Sequence, residues 1–168
     1  MTPDLFWIPG PWRGKLAMIA RPRGGDWLED EVRGWRRAGL DIVVSLLEKD
    51  EATQLELDRE GDFAESKKIR FISFPIPDRG VPASTKDALS LLGNLATALE
   101  EGKNVAVHCR QSVGRSGLIA AGLLVTSGVR ADEAIEVVCS ARGETVPETP
   151  AQLQWIRQLP SEYLVPAS

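Results

Sequence analysis

The chain is poor in the residues from which many small functional sites are built. Its 168 residues contain one histidine, His108, and two cysteines, Cys109 and Cys139. Two thiols are too few for a disulfide framework, and one histidine with two cysteines cannot complete a usual structural zinc site. Neither a metal nor a cofactor is therefore expected. No apolar run approaches the roughly 18 residues of a membrane-spanning helix. The stretch from Met1 to Gly10 carries neither the basic segment nor the long apolar segment of a secretory signal. Positive charge is also short, with 20 Lys and Arg against 24 Asp and Glu and a net charge of −4. Such a chain lacks the field that draws proteins to nucleic acid or anionic lipid, so any anionic ligand must be held by a local site. These absences point to a cytoplasmic protein with reduced thiols, no membrane span and no nucleic-acid partner.

What is present reads as a single domain over residues 1–168. At this size folding removes roughly 70% of the chain's surface from water, enough for a core without disulfide or metal staples. The hydrophobic fraction of 43% and charged fraction of 26% are ordinary for a globular chain. Phe6 to Ile8 and Leu16 to Ile19 read as short strands. Asp26 is placed to cap a helix that runs to Ala38 and stops at Gly39. Ile42 to Leu47 is an apolar run of strand length. The charged stretch from Glu48 to Glu60 reads as one solvated helix, and Ile69 to Phe74 alternates as a strand. Three prolines and a glycine make 75–82 a rigid loop. Ser84 opens a helix to about Glu100, and Val105 to Val107 is a strand. Leu118 to Thr126 is an almost wholly apolar, central helix. Ala131 to Ala141 and Thr149 to Leu159 complete the chain as helices, the last with Pro150 at its first position. Strands alternating with helices predict an α/β fold with a central, mostly parallel sheet of about five strands flanked by helices.

The informative segment runs from Val105 to Gly117. A six-residue turn between a strand end and a helix start points several backbone N–H groups inward and makes an anion nest, to which the helix dipole adds. Arg110, Gln111, Ser112, Val113 and Gly114 form that loop. Arg115 closes it and can hold two phosphate oxygens with its planar fork. Cys109 sits at its base, where inward amides, a helix N-terminus and an arginine favour the thiolate. A thiolate beneath a bound phosphate is placed to attack phosphorus. The competing reading of Cys109 as a small buried residue does not account for His, Cys, Arg and Ser at fixed offsets in a strand–turn–helix context. Ser116 can donate a hydrogen bond to the thiolate, or serve only as a hydroxyl at a helix start. His108 precedes the nucleophile on a strand, so its side chain points away from that of Cys109. It reads either as an orienting donor or as a satisfied core histidine. A departing oxygen also needs a proton, which Asp78 on the proline-rich loop can supply. Its competing reading is a turn-forming aspartate.

The segment from His108 to Gly117 matches the His-Cys-five-residues-Arg-Ser/Thr-Gly signature, and the chain resembles the cysteine-dependent protein phosphatases of the dual-specificity and cyclin-dependent-kinase-inhibitor-associated branch. The likeness covers about residues 40 to 160. Pro75-Ile76-Pro77-Asp78 is similar to that branch's general-acid loop. Glu148 to Gln152 is similar to a later segment in which a glutamine positions hydrolytic water. The resemblance implies a cysteine-phosphatase-like fold and a metal-free, two-step hydrolysis. It makes Cys109 the nucleophile, Asp78 the acid and then the base, Arg115 the phosphate clamp and Gln152 the water-positioning residue. The substrate it implies is a phosphorylated protein or small phosphomonoester, with phosphotyrosine and also phosphoserine or phosphothreonine as the esters. Ser112 stands where many relatives carry Ala or Gly. The loop has none of the lysines that phosphoinositide-cleaving relatives often place there.

Arg21 and Arg23 are placed to rim the pocket or to be two solvated loop charges. Arg142 could brace the phosphate loop or lie on the surface. Cys139 shares a helix face with Ile135 and Val138 and reads as core. The alternatives are a phosphoinositide or carbohydrate phosphatase on the same scaffold, a non-catalytic phosphoprotein-binding module, and a rhodanese-like sulfurtransferase or arsenate reductase. The joint presence of nucleophile, arginine and acid argues against the binding module. The last pair needs no aspartate on a proline loop.

Overall fold

The computed structural model describes residues 4–111 and 113–160. It contains a five-stranded sheet, β1 (Leu5–Ile8), β2 (Leu16–Ile19), β3 (Ile42–Ser45), β4 (Arg70–Ser73) and β5 (Val105–His108), in the order β1-β2-β5-β3-β4. Only the β1–β2 pair is antiparallel; β2–β5, β5–β3 and β3–β4 are parallel. This is the mostly parallel sheet expected from the sequence. Seven α-helices are present among the described residues: α1 (Leu28–Arg37), α2 (Lys49–Gln54), α3 (Glu60–Ser66), α4 (Thr85–Glu100), α5 (Gly114–Thr126), α6 (Ala131–Arg142) and α7 (Pro150–Arg157). None is long and apolar enough to cross a membrane.

The strand pleat divides the core. Leu16, Met18, Ile42, Val44, Val105 and Val107 point to the side covered by α4, α5, α6 and α7. Ala17, Ile19, Val43 and Ala106 point to the side of α1 and α3, against Leu28, Val32 and Trp35. Parallel strands are buried on both faces, which is why β2, β3 and β5 read as continuous apolar runs. Every residue of α5 is buried, because it lies between the sheet and the helices outside it.

Several local expectations change. Asp26 is not a cap; it lies in a 3-10 turn over Gly25–Trp27, and α1 starts from Trp27 with no side-chain cap. The stretch expected as one solvated helix is broken into α2 and α3, with Glu56 in the left-handed region at φ 57°. Leu57 between them turns into the core, and a continuous solvated helix could not bury it. The helix expected from Leu118 begins at Gly114, so Arg115 and Ser116 stand in its first turn.

Candidate active site

The parallel strands all end at one edge of the sheet, and β5 lies between β2 and β3. The chain therefore leaves to both sides of β5, the point at which an open α/β sheet forms a ligand crevice. The loop after β2 brings Arg21, the turn after β3 brings Glu51, the loop after β4 brings Asp78, and the loop after β5 brings Cys109.

The pleat sends His108 and Cys109 to opposite faces. Cys109 is 2% exposed and joins the core on the α5 side. The buried His108 points toward α3, where its Nε2 meets the Glu60 carboxylate, itself buried. The ring lies 6.3 Å from that of Trp35, and Nδ1 is 3.5 Å from the Cys109 carbonyl oxygen.

Cys109, Arg115 and Asp78 meet at a cavity of about 120 Å³ that Arg79, Arg110, Gln111 and Glu148 complete. The N-terminus of the 13-residue α5 opens at this loop, so its unpaired amides and dipole favour an anion there. Ser116 is wholly buried, and its Oγ has no hydrogen-bond partner among the described residues. Ser112 lies outside the described residues.

Arg115 is held in place by a residue that sequence reasoning passed over. Its Nη1 and Nη2 donate to the two carboxylate oxygens of Glu51 at 2.6 and 2.9 Å. Nη1 also donates to the Ile76 carbonyl at 2.9 Å. Glu51 in turn accepts from the Glu48 N–H at 3.0 Å as part of the capping box that starts α2. Glu51 thus uses the outer, Nη1–Nη2 edge of the guanidinium, and Asp78 approaches the same Nη2 at 3.4 Å. The hydrogen bond from Arg115 holds the Glu51 carboxyl below the usual carboxylate range, against the opposing effect of burial. Burial works against the charge of Arg115, but Glu51, Cys109 and Asp78 outweigh it and keep the guanidinium above its ordinary pKa. The spacing of Glu51 from a strand end and its capping-box partner Glu48 was the available signal.

The Asp78 carboxylate is largely exposed, with an oxygen 3.4 Å from Arg115 Nη2. It belongs to a turn closed by the Gly80 N–H on the Pro77 carbonyl at 2.8 Å. Arg79 takes the left-handed position of that turn, with φ 61°. The Gly80 carbonyl accepts from Gln152 Nε2 at 3.0 Å, so both backbone polar groups of this residue are engaged. Gln152 is wholly buried, and its Oε1 accepts from the Glu148 N–H at 3.0 Å. Each end of its amide thus has one backbone partner.

Arg21 and Arg23 line a concavity next to the site, shared with Arg110 and Gln111. The guanidinium of Arg142 lies 4.1 Å over the ring of Phe6. Cys139 is half-buried at the edge of the core, with Sγ 3.2 Å from the Val146 carbonyl oxygen.

A family model described as "Polymorphic toxin system, DSP-PTPase phosphatase" matches residues 17–129. Protein tyrosine phosphatase domain-containing protein 1 of Danio rerio is 39% identical over 99 residues, which are 58% of this chain and 13% of that protein. The chain thus spans only 13% of that relative's length. The active form of Tk-PTP superposes with a TM-score of 0.75 at 29% identity, covering 95% of this chain and 97% of the other. Kinase associated phosphatase, solved with its catalytic-site cysteine replaced by serine, has the same fold with a TM-score of 0.84 at 18% identity over 93% of each chain.

Proposed function

We propose that this chain, which belongs to the DSP-PTPase phosphatase family, hydrolyses phosphate monoesters on proteins, phosphotyrosine and also phosphoserine or phosphothreonine. The observation that carries the reading is the meeting of Cys109, Arg115 and Asp78 at one small cavity beside the N-terminus of α5. The domain is residues 1–168, and the chemistry belongs in the cytoplasm, where thiols stay reduced.

The amides of Arg110, Gln111, Ser112, Val113 and Gly114 cradle the phosphate oxygens, and Arg115 grips two of them with its Nε–Nη2 edge. Cys109 Sγ attacks phosphorus as a thiolate. The bond from phosphorus to the substrate oxygen breaks, and Asp78 gives that oxygen its proton. The product alcohol leaves, and a cysteinyl-phosphate remains. Asp78, now a carboxylate, takes a proton from water as the water oxygen attacks phosphorus. The sulfur–phosphorus bond breaks, Ser116 donates its hydrogen bond to the departing thiolate, and inorganic phosphate is released. His108 orients the loop from behind. Gln152 braces the acid loop against the Glu148 segment. No metal enters any step.

Cys109→Ser tests this directly, because a hydroxyl is not ionised near neutral pH and lacks thiolate nucleophilicity. Turnover of an aryl phosphate is expected to fall by more than about 10³-fold, with phosphate binding retained. Rapid quench of the unaltered protein should trap a phosphoryl group on Cys109. Residual turnover above a tenth of the original would remove Cys109 from the mechanism.

A further inference from the structure

Beside the catalytic cavity lies a second concavity of about 530 Å³, and Arg110 and Gln111 line both. Its other walls are the loop after β2, Trp27, and the end of α2 from Gln54 to Glu56. The lining carries three guanidiniums, those of Arg21, Arg23 and Arg110, against one carboxylate, that of Glu56. With Glu31, which pairs with Arg23 just outside the lining, this leaves a local excess of one positive charge in a chain whose net charge is −4.

The arginines are fixed in place. Arg21 Nη1 donates to the Arg110 carbonyl, within the phosphate loop. No carboxylate among the described residues forms an ion pair with Arg21. Arg110 Nη1 is 3.7 Å from Glu51, whose two oxygens are already hydrogen-bonded to Arg115. Arg23 donates to Glu31 through Nε at 3.0 Å and Nη2 at 2.7 Å, and its guanidinium lies 4.4 Å over the ring of Trp27. Trp27 is 55% exposed and Trp7 38%, whereas Trp12, Trp35 and Trp155 are buried; of the two exposed rings only Trp27 borders the groove. An exposed tryptophan held by a cation beside an arginine-lined groove is the composition of a recognition surface.

We propose that this groove is a flanking subsite of the same active centre, and that it takes an anionic side chain on one side of the phosphorylated residue of a protein substrate. The proposal rests on the phosphatase reading and names its substrate class. A carboxylate or second phosphate lies between Arg21 and Arg110, and the neighbouring part of the peptide lies along Trp27. Because the groove leaves the catalytic cavity in one direction only, the preference belongs to one flank. General attraction of anions by the site would act on both.

The test is kcat/KM on phosphotyrosine peptides that differ only at the flanks. Asp, phosphoserine, Ala or Lys is placed before or after the phosphotyrosine, with p-nitrophenyl phosphate as the flank-free substrate. The expected result is a preference of about tenfold for Asp or phosphoserine over Lys on one side only, shrinking as salt is raised. The two anionic arms tell a carboxylate subsite from a phosphate subsite. Arg23→Gln and Trp27→Ala touch none of the catalytic residues. They should reduce the preference to less than threefold while hydrolysis of p-nitrophenyl phosphate stays within twofold. Equal kcat/KM across the set, an equal preference on both flanks, or a preference unchanged in both variants would overturn the subsite. So would phosphoinositide vesicles turned over faster than every peptide. If p-nitrophenyl phosphate itself is not hydrolysed, the phosphatase reading fails instead, and the two failures are distinct.

Discussion

At the scale of single residues the site depends on how two carboxylates share Arg115. Glu51 holds the guanidinium through two hydrogen bonds, while Asp78 approaches Nη2 only to 3.4 Å from an exposed loop. Under the proposed mechanism Glu51 orients the arginine and Asp78 moves the proton. Glu51→Gln should lower kcat/KM by about 10–10²-fold, the cost of a fork misplaced by a fraction of an ångström to an ångström. Because the folded-state pKa of Glu51 is depressed, its ion pair adds stability above the unfolded carboxylate pKa. That stability is lost as pH falls through the lower, folded value. Urea unfolding at neutral and at acid pH should show a smaller acid loss in Glu51→Gln than in the unaltered protein; equal losses would refute the linkage. Asp78→Asn should impair hydrolysis of alkyl phosphates by about 10²–10⁴-fold and that of activated aryl phosphates much less. A rate ratio that stayed flat along such a leaving-group series would move the acid role elsewhere, with Glu148 the next carboxylate in the cavity.

At the scale of elements the broken segment between β3 and β4 matters most. A single helix would have carried Glu51 and Glu60 on its own solvated surface. The break at Leu55–Arg59 instead lets α2 present Glu51 to Arg115 and α3 present Glu60 to His108. A buried carboxylate is costly unless it is paired, so Glu60 and His108 must be understood together. Glu60→Ala leaves a buried imidazole nitrogen without its partner and should cost about 1–3 kcal/mol of stability. Glu60→Gln keeps an oxygen there and should lose less. Urea denaturation of both variants checks the order, and equal losses would show that the pair is not what the site requires. The acid loop is likewise braced from another element, since Gln152 on α7 holds Gly80 while Thr149, the N-cap of that helix, accepts from the Gln152 N–H.

At the scale of the whole molecule chemistry and anchoring lie at opposite ends of the sheet. The C-terminal ends of the parallel strands carry the site. At their N-terminal ends Asn104 ties the molecule together. Its side chain accepts from the Lys15 N–H at 3.0 Å and donates to the Gly39 carbonyl at 3.0 Å, and its own N–H donates to Asp41 at 2.8 Å. The approaches to β2, β3 and β5 are thereby joined at one residue. Asn104→Ala removes two side-chain hydrogen bonds and should destabilise the fold by about 1–3 kcal/mol. Kcat/KM of the folded enzyme should stay within twofold, since no site residue is touched. A large loss of activity at full folding would show that the two ends are coupled.

The sequence by itself determined the parts of this protein that are local. The apolar runs at 16–19, 42–47 and 105–107 read as strands, and the spacing of Cys109, Arg115 and Ser116 placed all three around one strand–turn–helix junction. The proline loop marked Asp78 because proline, aspartate and glycine constrain the backbone within a few residues. Only the tertiary structure decided what is contributed across long separations. Charged residues in a hydrophilic run look alike along the chain, so nothing local set Glu60 apart from its exposed neighbours, and Glu51 was marked only by its capping-box spacing from Glu48. Their roles arise because β5 inserts between β2 and β3, bringing residues 51 and 60 against Arg115 and His108. The same packing pins Gly80 of the proline loop with a glutamine on a different helix. Backbone preference and hydrophobic period are properties of neighbours in sequence, whereas the pairing of a buried charge is settled only when the sheet order fixes which elements meet.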